Sequence, residues 1–373
     1  MSSSIIREIA FSQIKGLTYE SAHQLIDRVG SIDAFFDSST RLLWDKIGSQ
    51  KSWCTDASRD ALLKIAEIEH SFCQSNGINA IFMDSDFYPQ RCKECNDSPV
   101  LLYSLGNCDL NSAHVISIIG TRRATAYGQR FVTDLIASLA TNVDNLVIVS
   151  GLAYGIDVAA HKGALQAGVP TIGVLAHGLN TIYPADHRDI AARIVKQGGA
   201  LVTEYGSRAN IHKGNFLARN RIVASLSDVT IVVESEEKGG AMVTASIAFD
   251  YNREVCAVPG RINDRYSSGP LKLIMNHKAS LIRNADDIIN LMNWEKKNSD
   301  TNQQTLDFKT QIDDLDSESK KIIQFLRNNP KSTINEIVEA LDMSFTTINA
   351  RLMEMEMNDI VYSLPGQTYT VNI

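Results

Sequence analysis

The sequence predicts an α/β fold, in which a parallel sheet with helices on both faces forms the central domain. Short runs of apolar, mostly β-branched residues recur from Val115 onward without polar alternation, which is typical of strands buried on both faces. Helical stretches separate these runs, and this order produces parallel strands with right-handed crossovers. The predicted strands span residues 115–119, 146–149, 171–175, 200–202, 229–233 and 254–258. We therefore expect a Rossmann-like domain over residues 113–294.

A smaller helical region precedes this domain. Apolar residues at helical spacing predict short amphipathic helices over residues 1–75. Residues 14–22 resemble a helix-hairpin-helix turn in which Thr18 stands at the second glycine, and a residue with a Cβ resists the positive φ that such a hairpin uses. A helix-hairpin-helix or SAM-like packing domain is favoured over a phosphate-binding one. Residues 76–112 are expected to connect it to the sheet.

A polar linker over residues 295–319 leads to the C-terminal part of the chain. Residues 320–373 have the pattern of three helices, with a break at Pro330, and two short strands around Pro365. This is the order of a winged-helix-like domain. Its residues from 321 onward carry four Lys/Arg against six carboxylates, and the predicted recognition helix offers only Arg351, so we expect protein contact or regulation rather than duplex binding.

Composition limits how nucleic acid could be bound. The 373 residues include 43 acidic and 36 basic side chains, a formal charge of −7, which excludes binding by bulk positive charge and leaves only a local patch. A hydrophobic share of 44% is ordinary for globular domains. No apolar run reaches the ~18 residues that a membrane span needs, and the N-terminus lacks a signal pattern. We expect no membrane insertion and a cytoplasmic location.

The six cysteines are too few and too scattered to form a disulfide framework. Cys92 and Cys95 have metal-ligand spacing, but a structural zinc site needs four ligands, and no second Cys/His pair follows at a suitable interval. No metal site is predicted.

Glycine-rich turns follow several predicted strands, at the sheet edge where open α/β folds bind ligands. The first turn presents Gly120 and Arg122, which suit a phosphate, and it lacks the Gly-x-Gly-x-x-Gly pattern, so nicotinamide cofactors are disfavoured. The second turn spans residues 150–157. His161 follows it either as a catalytic base or as a packed histidine, and packing is favoured. The third turn places Gly240 at a helix N-terminus.

The stretch from Arg208 to Arg221 has four Lys/Arg, one His and no carboxylate. Basic residues around the aromatic Phe216 provide what a single strand of nucleic acid needs, namely neutralised phosphates and a stacking face. A solvated basic loop with a core phenylalanine explains the same composition equally well.

Taken together, these elements resemble the DNA-processing protein A family (DprA, also called Smf). The similarity spans about residues 113–290, and its motifs occur in the family's order. The matching motifs are Gly120-Thr121-Arg122 with Thr125 and Tyr127-Gly128, Ser150 to Asp157 with His161, Tyr183-Pro184, Thr203-Glu204, Phe216 to Ile222, Glu234 with Gly240 and Thr244-Ala245, and Val258-Pro259-Gly260.

The resemblance implies a dimeric, non-catalytic protein without a cofactor. Such a protein binds and protects single-stranded DNA and loads RecA recombinase onto it in natural transformation, with single-strand-binding protein as a further candidate partner. By position, Arg122, Lys213, Arg219 and Arg221 would grip phosphates and Phe216 would stack a base. The amides of Gly120, Thr121 and Gly240 would approach the DNA backbone. The implied DNA-binding set is Gly120, Thr121, Arg122, Lys213, Phe216, Arg219, Asn220, Arg221, Gly240 and Thr244.

A Rossmann-like nucleotide N-ribohydrolase, as in the cytokinin-activating and lysine-decarboxylase-like proteins, is the alternative. Those enzymes carry a glutamate three residues beyond the threonine that corresponds to Thr244, and here that position is Ile247. Without this carboxylate, cleavage of a glycosidic bond lacks its obvious acid-base group.

Overall fold

The computed structural model describes residues 2–297, 315–329, 332–357, 360–364 and 368–371. The chain divides into two compact units, Met1–Lys297 and Asn298–Ile373. The N-terminal helices and the central sheet belong to the first unit and share one apolar core. Across the described ranges, no helix is long and apolar enough to cross a membrane.

Over residues 2–76 the chain forms five helices: α1 (Ser2–Ser12), α2 (Tyr19–Val29), α3 (Ile32–Asp37), α4 (Thr40–Ile47) and α5 (Asp56–Asn76). Ser31, Ser39 and Thr55 begin α3, α4 and α5 by accepting hydrogen bonds from backbone amides three residues further on. Thr18 caps α2 in the same way, with an extended φ of −114°. The hairpin therefore needs no glycine at Thr18, and the side chain serves the helix instead.

Among the described residues, nine strands form the central sheet: β1 (Ile78–Phe82), β2 (Leu101–Gly106), β3 (His114–Ile119), β4 (Leu146–Ser150), β5 (Thr171–Val174), β6 (Ala200–Thr203), β7 (Val229–Val232), β8 (Glu254–Ala257) and β9 (Ser280–Leu281). Their order across the sheet is β1-β2-β6-β5-β4-β3-β7-β8-β9. Within this spatial order, every neighbouring pair in the part β6-β5-β4-β3-β7-β8-β9 is parallel. The six predicted strands and their direction are therefore confirmed.

The segment expected only as a connector, residues 76–112, contributes β1 and β2 to this sheet. Both pair antiparallel, β1 with β2 and β2 with β6. The sequence prediction rested on strands alternating with helices, and an antiparallel edge pair lacks that alternation. The two strands were therefore missed.

Helices cover both faces of the sheet, as predicted. The helices of this region are α6 (Gln90–Lys93), α7 (Ala126–Asn142), α8 (Ile156–Ala167), α9 (Arg188–Lys196), α10 (Lys213–Ser225), α11 (Gly240–Asp250), α12 (Ser268–Met275) and α13 (Ala285–Leu291). Successive strand residues point to opposite faces. Ile116 and Ile118 of β3 join a core with Leu139 of α7, whereas Val115 joins a core with Ile222 of α10.

The second unit has winged-helix order within its described residues. Its elements are α14 (Ser317–Asn328), β10 (Ser332–Thr333), α15 (Ile334–Leu341), α16 (Phe345–Met357), β11 (Val361–Leu364) and β12 (Thr368–Val371). The three strands pair in the order β10-β12-β11. The first helix begins at Ser317, inside the predicted linker. Residues 298–314, Pro330 and Pro365 lie outside the described part of the chain.

The predicted recognition helix, α16, carries one basic side chain, and that side chain is paired. Arg351 lies 2.6 Å from Asp316, 3.0 Å from Glu354 and 3.5 Å from Glu318, measured between guanidinium nitrogen and carboxylate oxygen. Three carboxylates thus surround the cation that a duplex phosphate would need.

Candidate nucleic-acid interface

A cleft of about 400 Å³ opens at the carboxyl edge of the sheet. It lies between β3 and β7, which are neighbours in the sheet. From β3 the strands β4, β5 and β6 follow one another towards one side of the sheet, and from β7 the strands β8 and β9 follow towards the other side. Open parallel sheets bind ligands at such a switch point. Of the ten predicted site residues, all but Lys213 and Arg221 line this cleft. The eight that do are Gly120, Thr121, Arg122, Phe216, Arg219, Asn220, Gly240 and Thr244.

The first glycine turn, after β3, is held from both sides. The Thr121 amide donates to the Glu234 carbonyl oxygen (2.6 Å), and the Thr121 carbonyl accepts from the Ile156 amide (3.1 Å). A Cβ at Gly120 would lie 2.5 Å from the Ile156 side chain, so the turn requires glycine. The Thr121 amide, which was expected to approach DNA, is therefore used inside the protein. Arg122 next to it is exposed and forms no ion pair with any described residue.

The buried Glu234 carboxylate anchors the start of α7 beside this turn. It accepts the Thr125 hydroxyl at 2.5 Å and the Thr125 amide at 2.9 Å. The same hydroxyl accepts from the Gly128 amide at 3.2 Å, as a helix cap does. A Cβ at Gly128 would lie 2.5 Å from the carboxylate, which explains the glycine. Glu234 therefore fixes the position of the segment that joins the first glycine turn to α7.

The second glycine turn, after β4, packs against the first. Gly155 has a φ of +79°, and a Cβ there would overlap the Thr121 carbonyl oxygen. His161, one turn into α8, is fully buried, and its Nδ1 lies 2.8 Å from the Thr171 hydroxyl. Burial lowers the pKa of His161 to about 3, so the ring is neutral. His161 is thus a packed core histidine and has no access to a substrate.

Arg219 forms part of the floor of the cleft, where it is only 5% exposed. Its guanidinium donates to the carbonyl oxygens of Gly151, at 2.6 Å, and Val174. Burial lowers the pKa of Arg219, and the nearby Asp157 carboxylate opposes that shift. Burial likewise raises the pKa of Asp157, with Arg219 as the main opposing charge. Arg219, which was expected to grip a phosphate, thus already donates to two internal carbonyl oxygens.

Arg221 also has an internal partner. Its guanidinium lies 2.5 Å from the Glu204 carboxylate, and both side chains are largely buried. Residues two apart on a helix point in different directions. Arg219 and Arg221 therefore could not both face one ligand with Phe216, and only Arg219 lines the cleft.

Three predicted residues share one face of α10. Lys213, Phe216 and Asn220 follow the three- and four-residue spacing that aligns side chains on a helix. Lys213 is exposed and makes no ion pair within the described ranges, while Phe216 and Asn220 are half-buried and line the cleft. The Phe216 ring meets the Tyr183 ring edge to face, with 5.5 Å between centroids.

The third glycine turn opens the N-terminus of α11 to the cleft. Gly239 precedes the helix and no side chain caps it. A Cβ at Gly240 would meet no atom within 4 Å, so this part of the cleft is open. Thr244 is buried, and its hydroxyl lies 3.5 Å from the Gly240 carbonyl oxygen. The Glu236 carboxylate on this wall is paired with Arg265 at 2.8 Å.

One contact to the basic stretch had no sequence signal. Glu69 of α5 is 4% exposed and accepts the amide and the hydroxyl of Ser207, at 2.8 and 2.7 Å. Ser207 immediately precedes Arg208, where the basic stretch begins. The two partners are 138 residues apart in the chain, so no local pattern could reveal that an N-terminal helix holds this loop.

Comparison with known proteins agrees with the fold and identifies the family. Residues 79–293 match the family described as DNA recombination-mediator protein A, and residues 315–362 match a winged helix-turn-helix DNA-binding family. The chain is 40% identical over 216 residues to DNA processing protein DprA of Bacillus subtilis, a match that covers 58% of this chain and 71% of that protein.

Two solved structures are similar over most of their own length. DNA processing protein A of Streptococcus pneumoniae has 30% identity and a TM-score of 0.64, with 76% of this chain and 97% of that chain covered. The Helicobacter pylori protein, whose structure was reported for its single-stranded DNA binding mode, has 32% identity and a TM-score of 0.51, with 58% and 95% covered. The chain belongs to the DNA recombination-mediator protein A family.

Proposed function

We propose that this protein binds single-stranded DNA across the cleft between β3 and β7. The observation that carries the proposal is the convergence of unpaired cations, one aromatic ring and an uncapped helix N-terminus at one edge of an otherwise acidic protein. Arg122 and Phe216 line the cleft, Lys213 lies on the same face of α10 as Phe216, and Gly240 opens the third wall. The binding mode reported for the Helicobacter pylori relative supports the same ligand.

Each group has a distinct part in this proposal. Arg122 and Lys213 neutralise phosphates, and the free amides at the start of α11 with their helix dipole attract another. Phe216 stacks a base, which tolerates any sequence because every base has a π-face. Asn220 adds a polar contact beside the ring. Arg219, Arg221 and Thr244 position the walls of the cleft and do not themselves contact DNA.

We further propose a non-catalytic role in recombination. In this role the protein acts in the cytoplasm as a homodimer, protects incoming single strands in natural transformation and places RecA recombinase on them, with single-strand-binding protein as a second partner. The name of its family, recombination mediator, supports this. Within the described lining of the cleft, Asp157 is buried near Arg219 and the Glu236 carboxylate is paired with Arg265, which disfavours the nucleotide N-ribohydrolase alternative. Release of free base from a nucleoside monophosphate would favour that alternative.

Fluorescence anisotropy of labelled oligo-dT across a salt series tests the site. Each phosphate contact contributes about −0.7 to the slope of log K against log salt. Arg122→Ala and Lys213→Ala should each weaken binding and flatten the slope by about that amount. Phe216→Ala should cost ~1–3 kcal/mol of binding free energy with an unchanged slope.

The matched control is Lys196→Ala. Lys196 is an exposed lysine at the end of α9, on the opposite edge of the sheet. Its removal should leave affinity and slope unchanged. If the Arg122, Lys213 and Phe216 variants all bind like the wild-type chain, the strand does not lie in this cleft.

A further inference from the structure

Three aromatic side chains follow three neighbouring strands at the carboxyl edge of the sheet. Phe216 lies on the helix after β6, Tyr183 in the segment after β5, and Tyr154 in the turn after β4. These strands are adjacent in the order β6-β5-β4. Tyr183 is 51% exposed and Tyr154 is 43% exposed, so both present ring surface to solvent beside the cleft. The function proposed above uses only Phe216.

The backbone amide of Tyr183 is hydrogen-bonded, whereas no hydrogen bond is found for its hydroxyl group within the described residues. Its amide donates to Nε2 of the buried His177 at 3.1 Å, and Nδ1 of that histidine lies 2.9 Å from the Gly178 carbonyl oxygen. The Tyr183 ring meets Phe216 at an angle of 65°. Its hydroxyl has no hydrogen-bond partner among the described residues. The ring is thus placed by the scaffold while its exposed surface stays unused.

We propose that Tyr183 is a second base-stacking residue, so that a single strand leaving the cleft over Phe216 places a further base on Tyr183. This inference rests on the function proposed above. An exposed ring beside Phe216 provides the flat apolar surface that unpaired bases require, whatever their sequence. Tyr183 does not line the cleft itself, so the bound strand would extend beyond it, across the end of β5.

Tyr154 is excluded from this path by its neighbour. Its hydroxyl donates to the Asp186 carboxylate at 2.8 Å, and its ring packs against His187 with 4.9 Å between centroids. Asp186 is exposed, so its charge repels the phosphates that would accompany a base on Tyr154. Tyr154 is therefore the matched control, an exposed tyrosine on the same edge with a carboxylate at its tip.

The test is anisotropy with labelled oligo-dT on the full chain, for Tyr183→Leu and Tyr154→Leu, in the wild-type and the Phe216→Leu background. Tyr183→Leu should weaken binding roughly 5- to 150-fold, the range for loss of one stacked base, with an unchanged salt slope. Tyr183→Phe keeps the ring and should restore the affinity. Tyr154→Leu should bind like the wild-type chain.

The double variant Tyr183→Leu/Phe216→Leu distinguishes two roles of Tyr183, namely stacking on a DNA base and supporting the Phe216 ring. If Tyr183 only held the Phe216 ring in place, its replacement would have no effect once Phe216 is leucine. The proposal therefore requires the loss to persist in that background. Wild-type affinity of Tyr183→Leu, or disappearance of its effect in the Phe216→Leu background, overturns the proposal.

Photocross-linking gives a second readout that needs no variant. An oligonucleotide carrying 5-iodouracil should cross-link to Tyr183 in the wild-type chain, and cross-links at Phe216 without any at Tyr183 would overturn the inference. If these results fail while Arg122→Ala still flattens the salt slope, the proposed cleft stands and only the extension beyond it is lost. A wild-type chain that binds no oligonucleotide overturns both proposals.

Discussion

Replacing Arg219 by methionine should destabilise the first unit without removing a DNA contact. The substitution takes away the donor to the Gly151 and Val174 carbonyl oxygens and the nearby cation that favours the charged form of the buried Asp157 carboxylate. Leaving a buried carbonyl oxygen without its hydrogen-bond donor costs about 1–3 kcal/mol, and two such oxygens are affected. The buried Asp157 carboxylate also loses the main charge that opposes its desolvation. We expect the free energy of unfolding to fall by about 2–6 kcal/mol near pH 8.

The loss of unfolding free energy in Arg219→Met should grow as the pH rises. Burial raises the pKa of Asp157 in the folded protein, and without Arg219 it should rise further. A carboxyl group with a raised folded-state pKa binds its proton more tightly in the folded than in the unfolded chain. Stability is therefore greatest below the ordinary carboxyl pKa and falls as pH rises through the folded-state pKa. The deficit of Arg219→Met should accordingly be smaller at pH 5 than at pH 8.

Urea unfolding followed by tryptophan fluorescence measures this loss in the first unit alone, because Trp44, Trp53 and Trp294 all belong to that unit. Arg122→Met is the control, and as an exposed substitution it should change stability by less than about 0.5 kcal/mol. Adding Asp157→Asn to Arg219→Met should remove the pH dependence and recover part of the loss. A loss below about 1 kcal/mol at pH 8, or no recovery, would refute this account of the buried Arg219.

Three further results are expected. Glu69→Ala should weaken oligo-dT binding in the anisotropy assay because it releases the loop before the basic stretch, whereas Glu67→Ala, exposed on the same helix, should not. Gly155→Ala should lower the free energy of unfolding in urea by more than ~1 kcal/mol, since its positive φ and tight contact admit no Cβ. Arg351→Ala should leave DNA affinity unchanged because three carboxylates already pair that side chain, and salt-sensitive duplex binding by the isolated second unit, residues 298–373, would contradict this.

Much of the fold followed from local pattern. The six buried strands of the parallel sheet were recognisable because a strand covered on both faces must be apolar at every position. The winged-helix order was recognisable because helical periodicity and breaks are properties of short segments. The antiparallel β1 and β2 were missed because edge pairing depends on a partner, β6, that lies about a hundred residues away.

The same contrast between local sequence pattern and contacts between distant segments applies to the candidate site. Sequence alone determined which residues reach the carboxyl edge of the sheet, since every turn after a parallel strand ends there. Only the tertiary structure decided which of these side chains remain exposed and available to a ligand. Arg122 and Arg219 are the same residue type in matching motifs, yet one is exposed and the other is buried and bonded to the Gly151 and Val174 carbonyl oxygens, because the direction of a side chain is set by contacts between segments distant in the chain.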